Sequence, residues 1–182
     1  MAEGCAAMSV SLDGLNEAFT KLFTESSTLP KSVEHDELIP DQATPPSSPL
    51  ECAFEKVDYS TKGYHANVTV RPSQVVDAAS VLDQNGFGID TVTGVDWIAD
   101  EQMEVVYDFF HPIEPWRVVV RTRVPRAAPE LPTISEVFPG ANWHERETHD
   151  FFGIRFSGHP DLSPFLLPED ADFHPLRKDF QT

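Results

Sequence analysis

Four histidines and a dense set of carboxylates crowd the run from Phe138 to Phe180, FPGANWHERETHDFFGIRFSGHPDLSPFLLPEDADFHPLRKDF. Those residue types serve two chemistries: ligating a metal, and moving protons in acid–base catalysis. The nearest metal pattern is HERETH at positions 144–149, which looks like a zinc-protease helix. Two ligating histidines on one helix face must be four residues apart. His144 and His149 are five apart, which turns them about 140° from each other around the axis. The spacing therefore argues against a metal site.

The carboxylates have a plainer reading than catalysis. Arg146 and Asp150 stand at i, i+4, as do Glu145 and His149, so each pair can meet on the helix surface. Glu147 and Asp150, at i, i+3, leave that surface mostly negative. A solvated or partner-facing ladder of ion pairs is the expectation. Other catalytic constellations are missing. Gly86-Phe87-Gly88 reads as a turn before a strand, not as a phosphate loop opening a helix. No Ser or Cys stands in a nucleophile-elbow context, and no lysine suggests a Schiff base. Arg177-Lys178 is the one adjacent basic pair. It reads either as a solvated pair or as an anchor, with Arg177 bidentate to a partner carboxylate and Leu176 and Phe180 in apolar pockets.

These residues need elements to hold them. Asn142 is a good N-cap for a helix of about Trp143 to Phe152, with Glu145 completing a capping box and Gly153 ending it. Beyond Gly158, Pro160, Pro164, Pro168 and Pro175 forbid any regular element longer than a turn. That tail still carries Leu162, Phe165, Leu166, Leu167, Phe173, Leu176 and Phe180, so it needs a surface, either its own sheet or another protein. Upstream, Tyr64–Val70 reads as a strand. Pro72 and Ser73 open a helix with Val75, Val76, Ala79 and Leu82 as its buried stripe, and Asn85-Gly86 stops it. Phe87–Trp97, Met103–Phe110 and Trp116–Val124 are extended. The last alternates Arg117, Arg121 and Arg123 against Val118, Val120, Thr122 and Val124, as a sheet with one solvated face does. Pro125, Pro129 and Pro132 close the sheet region, and Thr133 or Ser135 can cap a short turn reaching Phe138. The expected fold is α+β: a small, mostly antiparallel sheet with helices packed on one side, followed by an extended C-terminal arm.

At the N-terminus, Leu12, Leu15, Phe19, Leu22 and Phe23 recur at helical spacing within Ser11 to Phe23. Ser26 to Pro49 holds Pro30, Pro40, Pro45, Pro46 and Pro49 among Ser, Thr and acids, which reads as a disordered linker. The amphipathic helix then either lies on its own domain or serves as a tethered partner-binding helix. The expected divisions are a possible helix at 1–25, a linker at 26–50, the α+β domain at 51–157 and a partner-binding arm at 158–182.

The 182 residues suffice for one domain with a proper core. A formal net charge of −17 argues against nucleic acid and against adhesion to an anionic membrane surface. No apolar run approaches the roughly 20 residues of a membrane span. MAEGCAAMSVSLDG lacks the marks of a secretory signal, which gives the expectation of a soluble, cytoplasmic protein. Cys5 and Cys52, far apart, cannot build an iron–sulfur or Cys-rich zinc site and read as free thiols.

Several of these stretches together resemble a known family, the 30 kDa subunit of respiratory NADH–quinone oxidoreductase, complex I. They are Ala141-Asn142-Trp143, Glu145-Arg146-Glu147, Asp150-Phe151-Phe152-Gly153-Ile154, Gly158-His159-Pro160-Asp161-Leu162 and His174-Pro175-Leu176-Arg177-Lys178-Asp179-Phe180. The Thr93-Gly94-Val95-Asp96-Trp97, Val105-Val106-Tyr107 and Arg117-to-Val120 segments look like the family's sheet. The resemblance spans about residues 64–180. It departs at Ser163, Pro164 and Phe165, where the family has basic residues and an aliphatic one. The short end after Lys178-Asp179-Phe180 is similar to subunits of membrane-bound [NiFe] hydrogenases related to complex I.

The resemblance implies a protein that binds no cofactor itself, with NADH and flavin, iron–sulfur clusters or NiFe in neighbouring subunits. It implies docking onto the 49 kDa-type (or hydrogenase large) subunit, on the cytoplasmic side of the membrane. The residues it points to are Glu145, Arg146, Glu147, Asp150, Phe151, Phe152, His159, Pro160, Asp161, Leu162, Leu176, Arg177, Lys178 and Phe180.

Overall fold

Helix α1 (Leu12–Glu25) starts where Ser11 Oγ accepts the Gly14 N–H at 3.1 Å, an ordinary N-cap bond. Its apolar stripe is not offered outward. Leu15 and Phe19 are fully buried, and Phe19 packs on Phe54 with ring centroids 5.9 Å apart. The Trp116 indole N–H, donating to the Val10 carbonyl at 2.9 Å, pins the start of the segment to the sheet. Of the two readings of this helix, the structure shows the one in which it lies on its own domain. The computed structural model describes residues 10–25 and 52–181. The expected linker at 26–50 and Cys5 lie outside them. Cys52 is a free, half-buried thiol that donates to Gln74 Oε1 at 2.8 Å.

Five strands form the main sheet: β1 (Ala53–Lys56), β2 (Ala66–Thr69), β3 (Gly88–Trp97), β4 (Gln102–Phe110) and β5 (Arg117–Pro125). Their spatial order is β1-β2-β5-β4-β3, antiparallel except for the parallel β2–β5 pair. The short edge strand β1 was not expected from sequence, because four residues show no alternation to read. One turn of helix, α2 (Tyr59–Lys62), capped by Asp58, joins it to β2. Between β2 and β3, Pro72–Gln74 makes a 3₁₀ turn and α3 (Val75–Gln84) follows. Its buried face is Val75, Ala78, Ala79 and Leu82, with Ala78 where Val76 was expected. Gly86, at φ 77°, ends it as the Asn-Gly signal requires.

The sheet has two unlike faces. Val68, Val92, Met103, Val105, Tyr107, Phe109, Val118, Val120 and Val124 are buried on one, and each such side chain contributes roughly 1.5–3 kcal/mol through burial. The other face carries ion pairs: Arg117 with Asp108 at 2.9 Å, and Arg121 and Arg123 with Glu104 at 3.4 and 3.3 Å. Parity along the strands produces this split, since alternate side chains point to opposite faces.

The last part of the domain builds the site. Strand β6 (Glu130–Pro132) pairs in parallel with β7 (Arg155–Ser157). Between them runs α4 (Ala141–Phe152), which crosses β3 so closely that a Cβ on Gly94 would stand 2.6 Å from the Phe152 ring. The expected capping box is not formed. The helix begins at Ala141 with Gly140 at the cap position, and no side chain caps it. Glu145 has instead turned into the core, where its hydrogen-bond partners lie in another segment.

Candidate docking surface

Glu145 sits on the inner face of α4 and is wholly buried. Its Oε1 accepts the Ile134 N–H at 2.9 Å and its Oε2 meets the Thr133 hydroxyl. Burial raises its pKa to about 7, against the opposing pull of those two hydrogen bonds. The His159 ring, also buried, brings Nε2 to 3.8 Å from Oε2. Because His159 Nδ1 accepts the Asp161 N–H at 3.1 Å, the proton of the neutral ring is on Nε2, which faces the Asn142 carbonyl at 3.2 Å. Desolvation lowers the pKa of this ring, so the neutral form prevails.

The predicted ladder of i, i+4 pairs does not form: Glu145 bonds to Thr133 and Ile134, and Arg146 and Asp150 find their partners in the arm. Arg146 donates to the carbonyls of Ser163 (3.1 and 3.2 Å) and Pro164 (3.3 Å) and to Ser163 Oγ. Its guanidinium lies over the rings of Trp143 and Phe165, 5.2 and 5.3 Å from their centroids. Asp150 accepts three consecutive backbone N–H groups, from Phe165 and Leu166 at 2.7 Å and Leu167 at 3.3 Å. Burial works against its charge, yet these donors prevail and hold the carboxyl below its ordinary range. His149 turns its Nδ1 to the Ile154 carbonyl at 2.9 Å.

The arm closes over the end of α4. A helix leaves its last carbonyls unsatisfied, and here residues from the arm reach them. His174 Nδ1 donates to Asp150 O at 2.8 Å, the Leu176 N–H to Phe151 O at 3.1 Å, and Arg177 Nε to Phe152 O at 2.7 Å. Gly153, at φ 72°, ends the helix, and a Cβ there would lie 2.5 Å from His174. Arg177 therefore caps α4 within its own chain. Lys178 docks by its backbone N–H on Asp96 at 2.9 Å, while Arg126 bridges Asp96 (2.8 and 3.0 Å) and Asp179 (2.6 Å).

The arm and the outer side of α4 leave apolar side chains outward among exposed charged ones such as Glu169, Asp170 and Asp172. Trp143, Leu166 and Leu176 are 55, 54 and 52 % exposed, and Phe165, Phe173 and Phe180 are exposed beside them. Trp143 packs on Phe165 and Phe173 on Phe180. Of the remaining candidates, Leu162 packs on the core, Pro160 and Asp161 are exposed at the root of the arm, and Glu147, Phe151 and Phe152 line a groove with Gly94 and Leu176. Among the described residues, no three His, Cys, Asp or Glu side chains converge on one point.

Sequence reading missed Asp96, Arg126, Thr133 and Ile134. Asp96 left a signal: it shares strand parity with Val92 and Gly94, and so stood as a charge on the core face of β3.

Residues 68–182 match the family described as respiratory-chain NADH dehydrogenase, 30 Kd subunit. The chain belongs to this family. The corresponding NADH-quinone oxidoreductase protein of Roseiflexus castenholzii is 42 % identical over 118 residues, covering 62 % of this chain and 68 % of the relative. The corresponding protein of the F(420)H(2) dehydrogenase of Methanosarcina mazei is 39 % identical over 92 residues, covering 50 % and 58 %. In three dimensions the chain is similar to a chain of the membrane-bound sulfane sulfur reductase, an archaeal respiratory membrane complex, with TM-score 0.59, 27 % identity and 64 % and 71 % of the two chains covered. It is also similar to a trypsin-resistant fragment of Nqo5, with TM-score 0.50, 30 % identity and 57 % and 92 % covered. The family match takes in β3 to β7 and the whole arm, and leaves α1 outside. No helix among the described residues is long and apolar enough to cross a membrane.

Proposed function

We propose that this chain is a non-catalytic structural subunit in the peripheral arm of a complex-I-type NADH–quinone oxidoreductase, docking onto the 49 kDa-type large subunit through α4 and the arm. On this reading NADH, flavin and iron–sulfur clusters belong to neighbouring subunits, and the chain meets the cytoplasmic side of the membrane only through the complex. The observation that carries it is the exposed apolar row of Trp143, Phe165, Leu166, Leu176 and Phe180, set on a backbone fixed by Asp150, Arg146 and Arg177. Rigid aromatic and aliphatic anchors lose little entropy on binding, so such a row suits a permanent partner.

Exposed positions make the cleanest test. Replacing Leu166 and Leu176 together by Asp should leave the chain folded and abolish co-purification with the large subunit. Normal assembly of that variant would defeat the docking surface named here. Truncation after Gly158 is a poorer experiment, because it strips Asp150 and the end of α4 of their partners. A second reading, the equivalent subunit of a membrane-bound energy-converting [NiFe] hydrogenase, draws on the likeness to the archaeal respiratory membrane complex. Under it the same double variant would lose the hydrogenase large subunit instead.

A further inference from the structure

Glu145 is an acid enclosed by the fold, and its surroundings accommodate it with or without a proton. Oε2 meets Thr133 Oγ1, which lies 2.8 Å from Ser135 Oγ and also accepts the Ser135 N–H at 3.0 Å. Ser135 in turn lines a surface cleft of about 420 Å³ with Asn142, Trp143 and Pro160. A hydroxyl carries one hydrogen and can accept two. With Glu145 ionised, Ser135 donates to Thr133 and Thr133 donates to the carboxylate. With Glu145 protonated, the acid donates to Thr133 Oγ1 and Thr133 donates to Ser135 Oγ. The heavy atoms need not move between the two arrangements.

We propose that Glu145 is a reversible proton-binding site, filled and emptied through the Thr133 and Ser135 hydroxyls, whose occupancy sets how firmly residues 133–135 are held on α4. On release, the proton of Glu145 passes to Thr133, the Thr133 proton to Ser135, and the Ser135 proton to water in the cleft. The other groups facing the site have fixed parts. From β4, Tyr107 presents a buried hydroxyl without a partner, kept protonated by burial and by the Glu145 charge. From the arm, His159 stands at 3.8 Å, neutral and bonded to Asn142 and Asp161, with Arg146 and Asp161 acting on it from outside. Trp143 belongs both to this cleft and to the proposed docking row, but the proton site is tested on the isolated chain and its failure would leave the docking proposal untouched.

The sign of the effect follows from the raised pKa. A folded state that holds its proton up to about pH 7, against 4.5 for an ordinary glutamate, binds more protons than the unfolded chain between those values. Stability therefore falls as pH rises through this window. The unfolding constant should grow by up to about 300-fold from this group alone. The experiment is a carboxyl ¹³C titration of the full chain, with Glu145 assigned by its absence in Glu145→Gln, together with denaturation at each pH. The expected results are a midpoint near 7, and a Glu145→Gln variant lacking the wild-type loss of stability over that window. A midpoint below about 5, or an unchanged slope in Glu145→Gln, would overturn the proposal. Ser135→Ala tests the relay even should Glu145→Gln not fold. It removes the acceptor for Thr133 in the protonated arrangement, so the midpoint should move down, and an unmoved midpoint would rule the relay out.

Discussion

Helix α1 and the C-terminal arm pose the same problem, an apolar segment that needs a surface, and they solve it in opposite ways. Helix α1 commits its side chains: Leu15 and Phe19 vanish into the core, and the Val10 carbonyl just before it takes the Trp116 indole N–H. The arm commits its backbone. Asp150, Arg146, Asp96 and the last carbonyls of α4 hold its main chain and polar groups, while Phe165, Leu166, Phe173, Leu176 and Phe180 stay outward. Burial of side chains stabilises the domain directly and leaves nothing to offer a partner. Fastening by hydrogen bonds gives about 1 kcal/mol net each, more where a charge takes part, and leaves the apolar atoms free for a second protein.

Four substitutions break or sharpen that contrast. The largest effect belongs to Phe19→Ala, which empties a fully buried aromatic site and should cost about 3–5 kcal/mol in chemical denaturation. A loss below about 1 kcal/mol would mean that α1 does not pack as described. Next comes Asp150→Ala, which leaves three arm N–H groups without their charged acceptor. We expect a global loss of about 2 kcal/mol and faster amide exchange across residues 163–178, with α1 unaffected. Equal acceleration in both regions would erase the distinction between them. The same bonds make the arm acid-sensitive. Asp150 and Asp96 are held below the ordinary 3.8, so their contribution is complete above that pH and is lost as pH falls through their folded values. Smallest on stability should be the Leu166 and Leu176 substitutions, each within about 0.5 kcal/mol by denaturation, although they face the proposed partner. A large loss there would show that these side chains support the domain itself.

What could be read in advance was whatever is local. The alternation of Arg117–Val124, the stop at Asn85-Gly86 and the stripe of Leu15 and Phe19 declare their elements within a few residues, since strand parity and helical pitch are properties of neighbouring positions. The α+β class followed from their order. Glu145 shows the limit. Its spacing from Asn142 fits a capping box and its spacing from His149 fits an ion pair, yet it serves neither, because Ile134 and Thr133 reach it only once β6 and β7 have paired on either side of α4.

The sequence by itself determined the family, the main helices and longer strands, and the fact that the arm, too apolar to remain in water and too rich in proline to build an element, must find a surface. The tertiary structure decided which surface. Asp150 and Arg146, one turn apart, could pair with each other on an isolated helix. In the folded chain the arm's N–H and C=O groups offer them several bonds apiece, and Arg177 is drawn to the open end of α4. The competition is between partners tens of residues apart, and three-dimensional proximity decides it.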